Sequence, residues 1–249
     1  MKTALRMRTG KTPLLEVLDW LYPPICEICG LGLSEGKALC EPCAERLPRI
    51  VTPFCEVCGE HFQGLIDGPF DCPNCKEISF HFEFARSAMV RSDATLNLVH
   101  RLKYGKEIHL GAELGRLACL AFLDRRLAVA LEEKWPLVPV PLHRSRQMER
   151  QFNQAEEIAR SISIETGLPV SHLLKRGRRT ETQTRLSRKQ RMENLWGAFK
   201  LREPLPETPP PGYLLVDDVF TTGSTVDECA KVLRKAGAGR IAVLTVMRG

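Results

Sequence analysis

Leu214-Leu215-Val216-Asp217-Asp218-Val219-Phe220-Thr221-Thr222-Gly223-Ser224-Thr225 is the stretch that decides the fold. Tyr213 to Val216 is a short apolar run, the pattern of a buried strand. Two adjacent carboxylates follow, then a small hydroxyl-rich loop. Val226, Cys229, Ala230 and Leu233 then recur at helical spacing, and Gly237 and Gly239 mark the stop. Ile241 to Val246 is a second apolar, β-branched run, so the unit reads as strand–helix–strand with parallel pairing. The loop Thr221–Thr225 falls where strand gives way to helix. Free backbone N–H groups and the helix dipole make such a point an anion site. The hydroxyls of Thr221, Thr222, Ser224 and Thr225 add donors, and Gly223 allows close backbone approach. No Gly-Lys-Ser/Thr ending is present, so this is not a Walker loop. Asp217 and Asp218 cannot bind phosphate but suit the vicinal hydroxyls of a ribose. A phosphoribosyl group places a 5-phosphate beside those hydroxyls.

Residues 214–226 resemble the signature that binds phosphoribosyl pyrophosphate (PRPP) in type I phosphoribosyltransferases. The resemblance implies an α/β fold of that type, a parallel sheet flanked by helices. It also implies catalytic and PRPP-binding roles for Asp217 and Asp218, PRPP contacts from Thr221, Thr222, Gly223, Ser224 and Thr225, and Mg2+ accompanying the pyrophosphate.

The chain has 249 residues, ordinary apolar and charged fractions, and a formal net charge of +6. That length accommodates one large or two unequal domains, and the charge permits a polyanionic partner without requiring one. The first apolar stretch, Leu14 to Tyr22, is interrupted by Glu16 and Asp19, so no signal peptide is expected. No run approaches the roughly 18 apolar residues that span a bilayer. The expected location is the cytoplasm.

Eight of the ten cysteines form four Cys-x-x-Cys pairs: Cys26/Cys29, Cys40/Cys43, Cys55/Cys58 and Cys72/Cys75. Two thiolates on one tight knuckle share a zinc ion, and two knuckles complete a tetrahedral site. Four pairs imply two structural Zn2+ ions, with sequential and crossed pairings both open. Cys-Glu-Ile-Cys-Gly (residues 26–30) and Cys-Glu-Val-Cys-Gly (residues 55–59) share one pattern, which suggests a duplicated zinc ribbon. Cys119 and Cys229 lie on apolar helical faces and read as core residues.

From about residue 80 the texture changes to alternating strands and helices. Strands are expected over 82–90, 137–140 and 170–174, and helices over 94–104, 111–131 and 153–166. The expected domains are a double zinc ribbon at 14–80 and a phosphoribosyltransferase domain at 81–249. The segment 203–212 holds five prolines and reads as a stiff surface connection.

Val138-Pro139-Val140-Pro141-Leu142-His143-Arg144 resembles the pyrophosphate loop of amidophosphoribosyltransferase-like enzymes, which assigns PRPP contacts to Val140, Pro141 and Arg144. Arg150-Gln151-Phe152-Asn153-Gln154 resembles the Arg-Gly-Phe-Asn-Gln motif of the ComF family, with Gln151 in place of the usual glycine. If that position needs positive φ, the local geometry here differs. The cysteine module, His100-x-Leu102-Lys103-Tyr104, this motif and the PRPP signature together resemble the ComF family over residues 14–249. Within 175–202 ten basic residues face two acidic ones. The resemblance matches Arg179, Thr182, Gln183, Leu186, Arg191 and Asn194 to a family pattern there and implies a mobile flap in which Arg179 is catalytic. The same charge suits phosphate backbones of single-stranded DNA, with Arg185, Arg188 and Lys189 as contacts.

The resemblance implies a PRPP-binding phosphoribosyltransferase-like protein with a role in natural transformation, that is DNA uptake and utilisation, on the cytoplasmic side of the inner membrane. Partners would be PRPP, single-stranded DNA and a competence helicase or DNA-processing protein. A non-catalytic module that binds PRPP or phosphate together with DNA or a helicase is the alternative, and no segment identifies an acceptor.

Overall fold

The computed structural model describes residues 23–33, 36–62, 64, 68, 70, 72–73, 75, 78–178, 190 and 194–249. The chain divides into two compact units, residues 1–46 and 47–249. The apolar stretch Leu14–Tyr22 lies outside the described residues. In the first unit the short helix α1 (Glu41–Arg46) begins directly after Cys40, within the second Cys-x-x-Cys pair, and buries Cys43.

The second unit is built on a four-stranded, wholly parallel sheet. Its strands are β1 (Phe84–Val90), β2 (Leu137–Pro139), β5 (Gly212–Phe220) and β6 (Arg240–Arg248), in the order β1-β6-β5-β2. The last strand–helix–strand unit forms as its periodicity predicts. Leu214, Leu215 and Val216 pair with Ala242, Val243 and Leu244 and are fully buried, covered on one face by α7 (Ser224–Lys235). Val226, Cys229, Ala230 and Leu233 are the buried face of α7. Such near-continuous apolar strands are typical of a parallel sheet with helices packed on it.

β5 is longer than its apolar run suggests. Its pairing with β6 continues through Asp217↔Thr245 to Phe220↔Arg248, so both carboxylates belong to the strand rather than to the loop after it. The expected helix at 111–131 is broken. α3 (His109–Ala118) runs into a 3-10 turn (Cys119–Leu123), and α4 (Arg125–Glu132) starts afresh behind Asp124. Asp124 adopts extended backbone and its side chain accepts from the Arg126 N–H, an N-cap that outweighs the continuous apolar spacing. The other helices are α2 (Asp93–Tyr104), capped by Ser92 and packed against α3, and α6 (Gln154–Thr166), capped by Asn153 and packed on β2 and β5. The short α5 (Arg144–Arg150) follows β2.

The strand expected at 170–174 reduces to a single parallel bridge, Leu137↔Val170. The chain then leaves the sheet, and β3 (Leu174–Arg176) pairs antiparallel with β4 (Phe199–Leu201). A partner 25 residues further along outcompetes the sheet edge there.

On the other side of the sheet, residues 48–50 run antiparallel along β1. Val90 and Ile50 donate to Pro48 and Ala88 respectively, at 2.8 and 2.9 Å. This contact covers an edge that would otherwise expose unpaired backbone groups.

Candidate functional site

The carboxyl ends of all four strands open into one cavity of about 540 Å3. Its walls take Arg91 from just after β1, Val140 and Pro141 after β2, Asp217 to Val219 from β5 with Thr221 just after it, and Met247 from β6 with Gly249 just after it. Open α/β sheets place their ligands outside the carboxyl ends of the strands for a geometric reason: the loops there diverge and the following helix N-termini converge.

Neighbouring side chains of a strand point to opposite faces of the sheet, so Asp217 and Asp218 acquire different surroundings. Asp218 is 3% exposed and pairs with Lys103 of α2, Nζ to Oδ2 at 2.6 Å. Asp217 lies within electrostatic reach of Arg176 and Cys229 on the other face. Burial, reinforced by the neighbouring Asp218 carboxylate, pushes Asp217 up to about 8. Burial and the like charge of Arg146 bring Arg176 down to about 10.

Arg146 and Arg150 of α5 also line the cavity. Arg150 lies over the Tyr104 ring at 5.2 Å and donates to Gln154 Oε1 at 2.8 Å. Asn153 ties this segment to the loop after β2. Its Nδ2 donates to the Val140 carbonyl at 3.1 Å while its Oδ1 caps α6. Gln151 adopts φ 71°, ψ −10°, a left-handed geometry that glycine enters without strain and that a residue with a Cβ rarely adopts.

Of the residues expected in the site, the cavity wall includes Asp217, Asp218, Thr221, Thr225, Val140 and Pro141. Thr222 faces a second, smaller cavity. Gly223 has φ 77° and is the N-cap of α7, and Ser224 is the first residue of that helix, with its hydroxyl 2.9 Å from that of Thr222. A Cβ on Gly223 would approach the Phe220 ring to 2.7 Å, so only glycine fits. Arg144 does not line the cavity, whereas Arg146 and Arg150, further along α5, do. Arg179, Arg185, Arg188 and Lys189, with Thr182, Gln183, Leu186 and Arg191, lie outside the described residues.

Arg91 and Arg176 were not singled out from sequence as site residues, and His100 and Lys103 were noted only for the motif that holds them. A signal for the last two was present. Leu96, Val99, His100 and Lys103 recur at helical spacing, which puts them on one side of α2, and all four line the cavity. Arg176 carries no such signal, because it enters through the β3–β4 pairing.

The eight thiols gather into two groups of four. Cys26, Cys29, Cys40 and Cys43 form one and Cys55, Cys58, Cys72 and Cys75 the other, with all sulfurs in each group within 4.8 Å of one another. This is the sequential pairing. Zinc–sulfur bonds of about 2.3 Å in a tetrahedron require sulfurs about 3.8 Å apart. Cys29–Cys40 at 3.7 Å, Cys58–Cys72 at 3.6 Å and Cys72–Cys75 at 3.5 Å meet that requirement. Both groups therefore fit structural Zn2+. The two knuckles close alike. Gly30 and Gly59 donate back to Cys26 and Cys55, and Cys26 and Cys55 donate across to Leu31 and Glu60.

The second group is fastened to the sheet by two buried arginines. Arg86 of β1 donates to the carbonyls of Cys55 and Ala85, lies over the Phe54 ring and pairs with Asp124. Arg248 of β6 reaches Cys58 Sγ at 3.8 Å and Glu60 at 2.5 Å.

A double zinc ribbon family model matches residues 17–79. That span crosses the division between the two compact units at 46/47, so the ribbon pair straddles the division. The chain is 38% identical over 152 residues to Competence protein F of Haemophilus influenzae, covering 61% of this chain and 66% of that protein. It is 30% identical over 230 residues to DNA utilization protein YhgH of Salmonella typhimurium, covering 91% of this chain and 97% of that one. Competence protein ComFC of Streptococcus pneumoniae is 26% identical over 229 residues. The chain belongs to the ComF family. Among the described residues, no helix is long and apolar enough to cross a membrane.

Proposed function

We propose that the cavity at the strand ends binds phosphoribosyl pyrophosphate with Mg2+, and that the protein acts in the uptake and utilisation of DNA. One observation carries the first part. Two carboxylates, an anion-binding loop at a helix N-terminus and the cations Lys103, Arg146, Arg150 and Arg176 converge on a single cavity. In this reading the backbone N–H groups of Thr221–Thr225 hold the 5-phosphate. Asp217 and Asp218 accept from the ribose hydroxyls, and the backbone at Val140–Pro141 with Arg146 and Arg150 faces the pyrophosphate. Arg144, at the head of α5, acts on the approach to that loop. Mg2+ would neutralise charge on the leaving pyrophosphate. In transfer, the C1–O bond to pyrophosphate breaks with its electron pair leaving on oxygen, while an acceptor's lone pair forms the new bond to C1. The role in DNA uptake is supported by the names of the relatives, which are competence and DNA utilisation proteins. It implies a cytoplasmic site of action.

Calorimetric titration of the full chain with PRPP and Mg2+ tests the site. Asp217→Asn with Asp218→Asn is expected to weaken binding by about 1.5–3 kcal/mol for the charged hydrogen bond lost at Asp218, and by less for the one lost at Asp217. Unchanged affinity in a folded double variant would remove the assignment. Pyrophosphate release, screened with bases, amines and DNA, separates a transferase from a binding module.

The binding-module reading is favoured by the strongly basic segment 175–202, which suits single-stranded DNA or a helicase partner. DNA affinity would then fall steeply with salt, at a log–log slope of about −0.7 per phosphate neutralised. Arg185→Glu, Arg188→Glu and Lys189→Glu together would lower both affinity and slope. An unaltered slope would leave Arg179 and its neighbours with the flap role alone.

A further inference from the structure

Behind the proposed phosphate loop, on the side away from the large cavity, lies the second cysteine group. One side chain joins them. Arg248, the last residue of β6, is 8% exposed. Its Nη1 donates to the carbonyls of Phe220 at 2.9 Å, Thr221 at 2.8 Å and Gly249 at 2.6 Å. Its Nη2 reaches Cys58 Sγ at 3.8 Å and the Glu60 carboxylate at 2.5 Å. The guanidinium plane lies over the Phe220 ring at 5.1 Å. A smaller cavity of about 240 Å3 between the two features is lined by Cys58, Cys75, Phe80, Phe220, Thr221, Thr222 and Arg248, which brings two metal-ligating sulfurs and two loop threonines around one space. The guanidinium is rigid and planar, so fixing one edge on the cysteine knuckle fixes where the other edge holds the loop carbonyls.

We infer that Arg248 is a positioning residue through which metal occupancy of the Cys55/Cys58/Cys72/Cys75 site sets the geometry of the Thr221–Thr225 loop. The cysteine group is thereby part of the phosphate site without touching its ligand. Zn2+ held by four thiolates carries a net charge of about −2, which a buried guanidinium at hydrogen-bond distance offsets. When the metal leaves, the four sulfurs lose the ion that holds them together around Cys58, the sulfur that Arg248 reaches. The knuckle that carries Cys58 and Glu60 loses its cross-link at the same time. The loop carbonyls of Phe220 and Thr221 are then held by a side chain that is itself no longer held. Loss of order there reaches the N–H groups of Thr221, Thr222 and Gly223, the groups that would point at phosphate. Chelation of the metal at the cysteine group would in this way switch off anion binding about one side chain's length away.

The inference rests on the reading of Thr221–Thr225 as the phosphate loop, and the test keeps the two apart. The full chain is compared with Arg248→Gln and Arg248→Lys by three measurements: zinc per chain, amide hydrogen exchange over residues 220–225, and affinity for PRPP with Mg2+. Arg248→Gln is expected to keep its zinc, to exchange the loop amides faster, and to bind PRPP about fivefold or more weakly. Arg248→Lys, which keeps the charge but not the fork, should recover part of the affinity. Chelation of wild-type zinc should raise exchange over 220–225 in the same pattern. A zinc-loaded Arg248→Gln protein with native loop exchange and native affinity overturns the inference while leaving the PRPP reading intact. If wild type binds no PRPP, the PRPP reading fails. Loop exchange on metal removal, with inorganic phosphate as the probe of the loop, then still decides whether the strut exists. Unchanged exchange on chelation would reject it.

Discussion

The two knuckles Cys26–Gly30 and Cys55–Gly59 share four of five residues and close with the same hydrogen bonds, yet they sit in different settings. In the first, Cys29 is exposed, and a Cβ on Gly30 would meet nothing within 4 Å. In the second, all four cysteines of the group are buried, and a Cβ on Gly59 would stand 3.0 Å from the Ala85 carbonyl. Arg86, Arg126 and Arg248 fasten this second copy to β1, α4 and β6. One motif thus yields a self-contained metal knuckle and a metal knuckle that is an organ of the α/β unit. The difference lies in what packs against the motif, which its five residues do not encode.

The sharpest way to break this comparison is to remove one ligand from each copy. Cys58→Ser and Cys29→Ser should each lower the zinc content by one ion per chain. Structural zinc contributes strongly to the folding of whatever it cross-links. Cys58→Ser is therefore expected to destabilise the 47–249 unit by about 4 kcal/mol or more. Cys29→Ser should change the melting of that unit by less than about 0.5 kcal/mol, the range of surface changes. Calorimetry with metal analysis checks both, and equal losses would make the copies equivalent.

A smaller effect separates the two glycines. Both have positive φ, 74° at Gly30 and 69° at Gly59. Gly30→Ala should cost only the left-handed strain, about 1–2 kcal/mol. Gly59→Ala adds a collision with the β1 backbone, which raises the cost to roughly 2–4 kcal/mol. Chemical denaturation of the two variants measures the gap, and a gap of zero would mean that the second knuckle can move away from β1.

Much of this was legible beforehand. The strand–helix–strand unit, the eight ligands and the Asp217-Asp218 pair follow from periodicity and spacing, because each is a local pattern. Gln151 was marked as the one residue out of place, and it does occupy a left-handed turn. Three features were not legible, and all depend on long-range partners. Pairing with β6 carries β5 past its apolar run to Phe220. The antiparallel match of 174–176 with 199–201 brings Arg176 to the cavity. The burial of Arg86 and Arg248 becomes visible only once the second cysteine group has docked on the sheet. A charged residue in a strand reads as solvent-facing unless its distant partners are known.

Asp217 and Asp218 are a second pair of like residues in unlike settings, and they should respond to substitution with opposite signs. Asp217 moves from 3.8 unfolded to about 8 folded. Between those values the folded chain holds a proton that the unfolded chain has lost, so stability falls as pH rises through the window. Asp217→Asn removes this slope. The variant should match wild type near pH 4 and exceed it increasingly as the pH rises toward 9. Asp218→Asn instead strips the carboxylate from the buried contact with Lys103 and should destabilise by about 1–3 kcal/mol at neutral pH. Thermal melts across pH 4–9 distinguish the two, and a shared sign would undo the assignment of separate faces.

The smallest effect is at Gln151, where the chain carries an L side chain in a turn that its relatives' motif gives to glycine. The left-handed backbone costs about 1–2 kcal/mol for a residue with a Cβ, while glycine costs roughly 0.4–1 kcal/mol in unfolded-state entropy. Gln151→Gly should therefore stabilise the second unit by about 0.5–1 kcal/mol, a rise of a few degrees in Tm. The turn joins α5 to Asn153, which holds the Val140 carbonyl, so the site geometry should be preserved and PRPP affinity should stay within about twofold, well under the tenfold that 1.4 kcal/mol represents. A loss of stability would mean that the Gln151 side chain makes a contact worth more than the strain it carries. The position would then be a specific feature of this chain and not a tolerated departure from the motif.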